Sequence, residues 1–113
     1  ASGRLGVCLV TSGPGATNAV TACYAAWTDS VPVLFISGQA RTETLAGESG
    51  LRSSGLQEVD IVRMVQGITK FAYEPLDSQY CMAALGDMIT ACLTGRRAPC
   101  GLSVPQDVQG ADA

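Results

Sequence analysis

The sequence contains no histidine, and charged residues make up only 15% of its 113 residues. Without histidine, the chain lacks the usual nucleophile and base pairs of hydrolases, and no serine lies in a G-x-S-x-G turn. The five cysteines are scattered through apolar segments without C-x-x-C spacing, which indicates small buried side chains in a reducing compartment. The sequence therefore disfavours a self-sufficient hydrolase and predicts no metal site.

The charge balance and the hydropathy pattern limit the partners. Ten acidic residues outnumber seven basic ones, the net charge is −3, and no basic run is present, so we expect no nucleic-acid partner. No apolar stretch reaches the roughly 18 to 20 residues that span a bilayer, and the N-terminus lacks a signal-peptide pattern. We therefore expect no membrane partner and a cytoplasmic location. The low charge favours faces covered by other protein, although a sheet covered on both sides would also lower it.

The most informative stretch is residues 7–18, an apolar run that leads through a Gly-Pro-Gly turn into the start of a helix. Gly13 and Gly15 have no Cβ, and Pro14 fixes one backbone angle, so this turn can approach another surface closely. Ligands bind at such turns at the carboxyl ends of strands in open α/β sheets. The turn is neither a phosphate loop nor a dinucleotide fingerprint, because no Lys-Ser or Lys-Thr follows it and its spacing is not G-x-G-x-x-G.

Strand-like and helix-like segments alternate along the chain. The predicted strands are residues 5–10, 33–36 (ending at 37–39), 66–73 and 99–104. The predicted helices are residues 16–27, 58–64 and a third one that begins at Asp77 or Ser78 and ends at Gly95, where Arg96 and Arg97 would complement its carbonyl end. Residues 40–56 are predicted to form a long loop. The alternation predicts an α/β fold, a parallel sheet with helices on both faces.

The domain boundaries follow from the same pattern. We expect one domain over residues 1–105, and residues 106–113 as a linker to a missing middle domain. Only four residues precede the first strand, which its continuous apolar character predicts to be central and buried on both faces. The sequence is therefore expected to be a fragment that lacks its first strand and helix.

Five blocks of the sequence identify a family. The chain closely resembles the pyrimidine-binding domain of thiamine-diphosphate enzymes of the acetolactate synthase type, in the order and spacing of all five. The blocks are residues 11–18, 29–32, 36–39, 57–62 and 68–70. The resemblance implies the thiamine-diphosphate-binding fold, with the aminopyrimidine of the cofactor received here. It also implies that a missing domain holds the diphosphate through Mg2+, and it leaves a role for FAD open.

The resemblance assigns roles to individual residues. Gly13, Pro14, Gly15 and Asn18 match the turn that lies against the aminopyrimidine, and they bind the cofactor in this interpretation. Gln39 matches a glutamine that faces the reactive side of the cofactor, positions the acceptor and counts as the catalytic residue. Judged without the family, the Gly-Pro-Gly positions are equally compatible with a plain tight turn between a strand and a helix. Gln39 is then equally compatible with a plain hydrogen bond at the end of a strand.

Two further positions are implied to lie on the substrate side. Gln57 matches a residue in a loop that lines the substrate approach, and Lys70 matches a lysine in the following strand. Without the family, Lys70 is a solvated lysine. Leu56 stands where acetolactate synthases usually have an aromatic residue, which leaves the acceptor substrate open.

The implied function is that of a carboligase, which decarboxylates a 2-oxo acid such as pyruvate and transfers the two-carbon unit to an acceptor carbonyl. The enzyme would be a homodimer or homotetramer with the active site between subunits. The activating glutamate of the family and its G-D-G motif for metal and diphosphate are not found in the chain, so we expect the chain to be inactive by itself. A related decarboxylase, oxidase or sugar-pathway carboligase is an alternative, as is a non-catalytic assembly module.

Overall fold

A parallel sheet of four strands forms the centre of the molecule. The computed structural model describes residues 4–42, 45, 50, 55 and 57–110. Its strands are β1 (Gly6–Val10), β2 (Val33–Gln39), β3 (Ala72–Tyr73) and β4 (Cys100–Pro105), in the spatial order β1-β2-β4-β3. All three pairings are parallel. The predicted α/β class with a parallel sheet is confirmed.

Helices fill the connections between the strands. They are α1 (Pro14–Asn18), α2 (Val20–Thr28), α3 (Ile61–Val65), α4 (Ser78–Leu93) and α5 (Gln106–Gln109), with a 3-10 turn at Gln66–Ile68. The cap predicted for the long helix α4 is present, since the Asp77 carboxylate accepts a hydrogen bond of 2.8 Å from the Gln79 N–H. None of the described helices is both long and apolar enough to cross a membrane.

The helices bury both faces of the sheet, as predicted. In β2, Leu34 belongs to the core under α4 and α5, whereas its neighbour Phe35 packs on the core under α1, α2 and α3. Successive side chains of a strand point to opposite faces, so one apolar strand supplies both cores. Met88 and Cys92 of α4 are completely buried. Burial of a side chain as large as Met88 contributes about 1.5–3 kcal/mol to stability.

The prediction that the first strand is central and buried on both faces is wrong for the described structure. Within the described residues, β1 pairs with β2 alone and lies at an edge of the sheet. Val7 and Leu9 are 62% and 76% exposed. Both lie beside Leu34 and Ile36 in register, on the face covered by α4, and the principal strand contacts of α4 are with β2 and β4. The continuous apolar run indicated burial, but burial also requires a helix above the strand.

Three other boundaries differ from the predictions. The predicted strand at 66–73 is divided into the 3-10 turn at Gln66–Ile68, which ends at the extended residue Thr69, and the two-residue β3. The helix predicted at 16–27 is divided into α1 and α2 at Ala19. Residues 106–109, predicted as part of a linker, form α5, whose Val108 is buried in the core. Most of the predicted loop 40–56 and residues 111–113 lie outside the described residues.

Candidate functional site

The carboxyl edge of the sheet collects most of the predicted site residues. Because all strands are parallel, β1, β2 and β4 end at the same edge, and the Gly-Pro-Gly turn follows β1 directly. The turn also lies beside the end of β2, since a Cβ built on Gly38 would be 3.5 Å from the backbone nitrogen of Ser12. This is the edge at which α/β sheets bind ligands.

The turn itself is closely packed against Gln57. Gly13 is buried with φ +59°, and a Cβ built on it would lie 2.6 Å from the Gln57 carbonyl oxygen and 2.8 Å from the Gln57 Cβ. Gln57 also has a positive φ of 54°, which is uncommon for a residue with a side chain. Such a conformation costs on the order of 1–3 kcal/mol and persists only where surrounding contacts fix it. Two residues predicted from separate blocks are therefore in direct contact.

The outer surface of the turn is open. Pro14 occupies the first position of α1, where its missing N–H costs nothing, and the helix starts with the Thr17 N–H donating to the Gly13 carbonyl at 3.0 Å. Pro14 and Asn18 are exposed. A Cβ on Gly15 would lie 2.6 Å from the Thr11 Cγ2. Glycine at 15 is thus required by the close return of the chain onto the end of β1.

Gln39 is buried and fully hydrogen-bonded. It is the last residue of β2 and only 5% exposed. Its Nε2 donates to the Val59 carbonyl at 2.6 Å and to the Glu74 Oε1 at 3.0 Å, and its Oε1 accepts from the Ala40 N–H at 3.0 Å. Gln39 therefore joins the end of β2 to the segments before α3 and after β3. These contacts are the strand-end hydrogen bonds of the plainer interpretation.

Glu74 is a residue of this edge that sequence reasoning did not select. Its Oε1 accepts hydrogen bonds from Gln39 and, at 2.7 Å, from the hydroxyl of Ser103 in β4. Ser103 is 1% exposed, so its hydroxyl depends on this acceptor. The available signal was position, because Glu74 directly follows the third predicted strand. A carboxylate there reaches the ends of the neighbouring strands.

A second carboxylate fastens the segment after β2. The Asp107 carboxylate in α5 accepts from the Thr42 N–H at 2.9 Å and from the Thr42 hydroxyl at 2.6 Å. These hydrogen bonds, the one from the hydroxyl first, lower the pKa of Asp107 below its ordinary value of 3.8. In the described part of the chain, no group of three or more His, Cys, Asp or Glu side chains is arranged to hold a metal ion.

Lys70 lies at the opposite edge. Its N–H donates to the Pro99 carbonyl at 3.0 Å, before β3 and β4 begin. Its Nζ donates to the carbonyl oxygens of Ala91, at 2.9 Å, and Thr94 at the carbonyl end of α4. The structure thus brings the turn, Gln39 and Gln57 to one edge but does not bring Lys70 there. Its substrate-side role remains a prediction that this position does not support.

A groove at the carboxyl edge has the size and lining for a flat heteroaromatic ring. It has a volume of about 500 Å3, within the range of about 300–1,000 Å3 that is typical of ligand pockets. Its apolar walls and polar rim come from the ends of β1, β2 and β4 and from α5. They include Leu9, Ile36, Val104, Thr11, Ser37 and Gln109. This mixed lining is compatible in character with a flat heteroaromatic ring, but the predicted turn residues, Gln39 and Gln57 are not among the residues that line the groove.

Comparisons with known proteins agree on the kind of domain. A family profile described as thiamine pyrophosphate enzyme, N-terminal TPP binding domain, matches residues 1–64. The chain is 38% identical over 111 residues to the acetolactate synthase large subunit of Corynebacterium glutamicum, which covers 98% of the chain and 17% of that protein. It is 38% identical over 109 residues to acetolactate synthase 1, chloroplastic, of Oryza sativa subsp. japonica, covering 96% of the chain and 16% of the relative.

The acetolactate synthase of Arthrospira platensis is similar to the same extent. It is 37% identical over 110 residues, which are 97% of the chain and 18% of that protein. The chain thus spans less than a fifth of the length of the curated relatives it matches. The matched profile region contains the glycine turn, Gln39 and Gln57, but not Lys70.

Proposed function

The chain belongs to the thiamine pyrophosphate enzyme family, as its N-terminal TPP binding domain, and on this premise we propose that it forms the aminopyrimidine side of a carboligase resembling acetolactate synthase. The reaction is decarboxylation of a 2-oxo acid such as pyruvate and transfer of the two-carbon unit to an acceptor carbonyl. The similarity to three acetolactate synthases supports this class of reaction.

The observation that carries the proposal is the contact between Gly13 and Gln57 at the carboxyl edge of the sheet. Gln57 is held against the turn in a strained backbone conformation, at the edge of the sheet where β1 and β2 end. Backbone strain of this kind is concentrated at functional sites. The contact fixes the position of the exposed Pro14 and Asn18, which in this proposal bind the ring.

Each residue of the site has a distinct task in the proposal. Thiamine diphosphate, when bound, supplies the carbon nucleophile that the decarboxylation requires. The Gly-Pro-Gly turn offers a surface with few side-chain atoms, formed by the exposed Pro14 and the neighbouring glycine Gly15, on which the ring can lie. Gln39 holds the end of β2 to Val59 and Glu74 through its hydrogen bonds, and in this proposal it is a positioning residue. Gln57 lies on the substrate side.

Other parts of the enzyme are assigned to other segments. We assign the diphosphate and Mg2+ to a separate domain, as the family resemblance implies. We propose a homodimer or homotetramer with the site between subunits, and a cytoplasmic location. Whether FAD is required is decided by omitting it from the assay.

The test uses the complete reading frame that contains this chain. The purified protein is expected to consume pyruvate only when thiamine diphosphate and a divalent metal are both present, with or without FAD as separate arms. Asn18→Ala is expected to weaken cofactor binding at least tenfold. The matched control is Gly86→Ala, at an exposed position of α4 with no other atom within 4 Å of the new Cβ. Unchanged pyruvate consumption without the cofactor contradicts the proposal.

The exposed apolar side chains favour a second candidate, a non-catalytic assembly module. Val7 and Leu9 would be covered in a subunit contact, which agrees with the low charged fraction. This candidate predicts that Val7→Ser and Leu9→Ser together reduce the oligomer size while thiamine diphosphate binds neither variant nor parent. Saturable binding of the cofactor to the parent protein rejects the module.

A further inference from the structure

A second groove lies at the amino edge of the sheet, away from the candidate site. It has a volume of about 550 Å3, and we call it the cationic groove after its principal lining residues: Lys70, Arg96, Arg97, Tyr24 and Trp27. It therefore gathers three of the seven basic residues of a chain whose net charge is −3. A local positive potential on an acidic chain requires a specific reason.

Two of the three cations of the groove, Lys70 and Arg96, make hydrogen bonds to neutral groups. Lys70 donates to two carbonyl oxygens, and the Arg96 Nε donates to the hydroxyl of Ser30 at 2.8 Å. An ammonium group has three N–H donors and a guanidinium has five, so these contacts use two and one of them. The contacts restrict both side chains without cancelling their charges. An anion bound here would meet cations that have already lost much of their rotamer freedom.

Lys70 contributes to the end of the helix that Arg96 and Arg97 were predicted to complement. Arg96 and Arg97 were expected to complement the carbonyl end of α4, but Lys70 makes the direct hydrogen bonds to that end. Part of the Lys70 charge therefore interacts with the helix dipole. The two arginines also line the groove and add their charges to its attraction for an anion.

Two aromatic rings form one wall of the groove. Tyr24 and Trp27 are three residues apart in α2 and so lie on the same face of the helix, where they are 58% and 37% exposed. Exposed rings of this size beside arginines suit stacking with a flat ring, whereas a simple inorganic anion gains nothing from them. The volume is in the range of about 300–1,000 Å3 that is typical of small-molecule sites.

We propose that the cationic groove binds a nucleoside diphosphate or triphosphate. The phosphates are bound by the two arginines with a contribution from Lys70, and the base stacks on the wall formed by Trp27 and Tyr24. Planar guanidinium groups suit phosphate oxygens because they offer paired, parallel N–H donors. The site is independent of the proposed cofactor site, which lies at the other edge of the sheet.

The first experiment follows the fluorescence of Trp27, the only tryptophan in the chain, during titration with ADP. Adenosine and inorganic diphosphate are titrated in parallel, and isothermal titration calorimetry gives a second measurement of each affinity. Saturable binding of ADP at least tenfold tighter than that of both fragments is expected. Equal affinity for ADP and diphosphate, equal affinity for ADP and adenosine, or no saturation by ADP overturns the proposal.

Variants then test the two halves of the groove separately. Arg96→Glu and Arg97→Glu are each expected to weaken ADP binding at least tenfold. Arg63→Glu in α3 makes the same change of charge at an exposed position outside the groove and is expected to leave it unchanged. Tyr24→Ala is expected to weaken ADP binding at least threefold without affecting the weaker binding of diphosphate. Equal losses in the Arg63 and Arg96 variants would instead indicate general charge attraction and overturn the proposal.

Discussion

Replacing Gly13 by alanine tests the contact on which the candidate site depends. Two penalties are expected in the folded state. Gly13 has φ +59° and ψ −120°, a combination that residues with a Cβ avoid and that costs them about 1–3 kcal/mol. The new Cβ would also lie 2.6 Å from the Gln57 carbonyl oxygen, a backbone atom that cannot rotate away, and overpacking of this kind costs about 1–3 kcal/mol. Alanine also reduces the conformational entropy of the unfolded chain, and this offsets about 0.4–1 kcal/mol of the loss of stability. Gly13→Ala is therefore expected to lower the free energy of unfolding by about 1–6 kcal/mol, with a middle value of about 3 kcal/mol.

Two other glycines separate these contributions. Gly95 has φ +65° but no other atom within 4 Å of a new Cβ, so Gly95→Ala measures the left-handed penalty alone, about 1 kcal/mol after the same correction. Gly86 lies in α4 with ordinary helical geometry and open space, so Gly86→Ala is expected to stabilise the chain by up to about 1 kcal/mol. The three differ by a single methyl group each.

Urea unfolding followed by far-ultraviolet circular dichroism gives the three free energies. The expected order of stability is Gly86→Ala, parent, Gly95→Ala and then Gly13→Ala. Gln57→Gly removes one of the two close atoms and relieves the strain at residue 57, so combining it with Gly13→Ala should recover about 1 kcal/mol. Equal effects of Gly13→Ala and Gly95→Ala would refute the contact between the turn and residue 57.

Three further predictions follow from hydrogen bonds and burial. Glu74→Ala removes an acceptor of Gln39 and should destabilise the chain by about 1–3 kcal/mol in urea unfolding, whereas Glu74→Gln, which keeps an acceptor oxygen, should cost less; equal losses would count against the network. The lowered pKa of Asp107 adds stability above pH 3.8 that disappears as pH falls through the lower folded pKa. Thr42→Val removes the hydroxyl donor and should raise the pKa of Asp107 in an NMR titration. An unchanged pKa would refute the hydrogen bonds from Thr42 as its cause. Burial raises the pKa of Cys23 to about 11, so its thiol should resist alkylation at neutral pH until the chain unfolds, as read by mass spectrometry.

The residues that the family resemblance assigned to the site and the residues that the structure brings together at one edge of the sheet overlap only in part. The family resemblance selected the turn, Gln39 and Gln57, and the structure places all of them at one edge of the sheet. It also selected Lys70, which lies at the other edge because it comes before β3 rather than after it. Glu74 was missed, although it directly follows β3 and accepts hydrogen bonds from Gln39 in β2 and Ser103 in β4. Position relative to a strand end was therefore a better guide than residue type.

The sequence by itself determined the local features of this protein. Alternating apolar segments, the Asp77 cap and the Gly-Pro-Gly turn each depend on neighbouring residues, and they were enough to establish the parallel α/β fold and the end of β2. Only the tertiary structure decided the order of the strands. An apolar strand such as β1 can be central or at an edge, and which one occurs depends on whether a distant helix covers it.

The same distinction applies to the candidate site and to the cationic groove. The contact between Gly13 and Gln57, and the meeting of Trp27 with Lys70 and Arg96, join residues that are more than 40 positions apart in sequence. Neither can be read from periodicity, since hydrophobic spacing reports which face of an element is buried but not which element buries it. Chain folding in three dimensions brought those groups together.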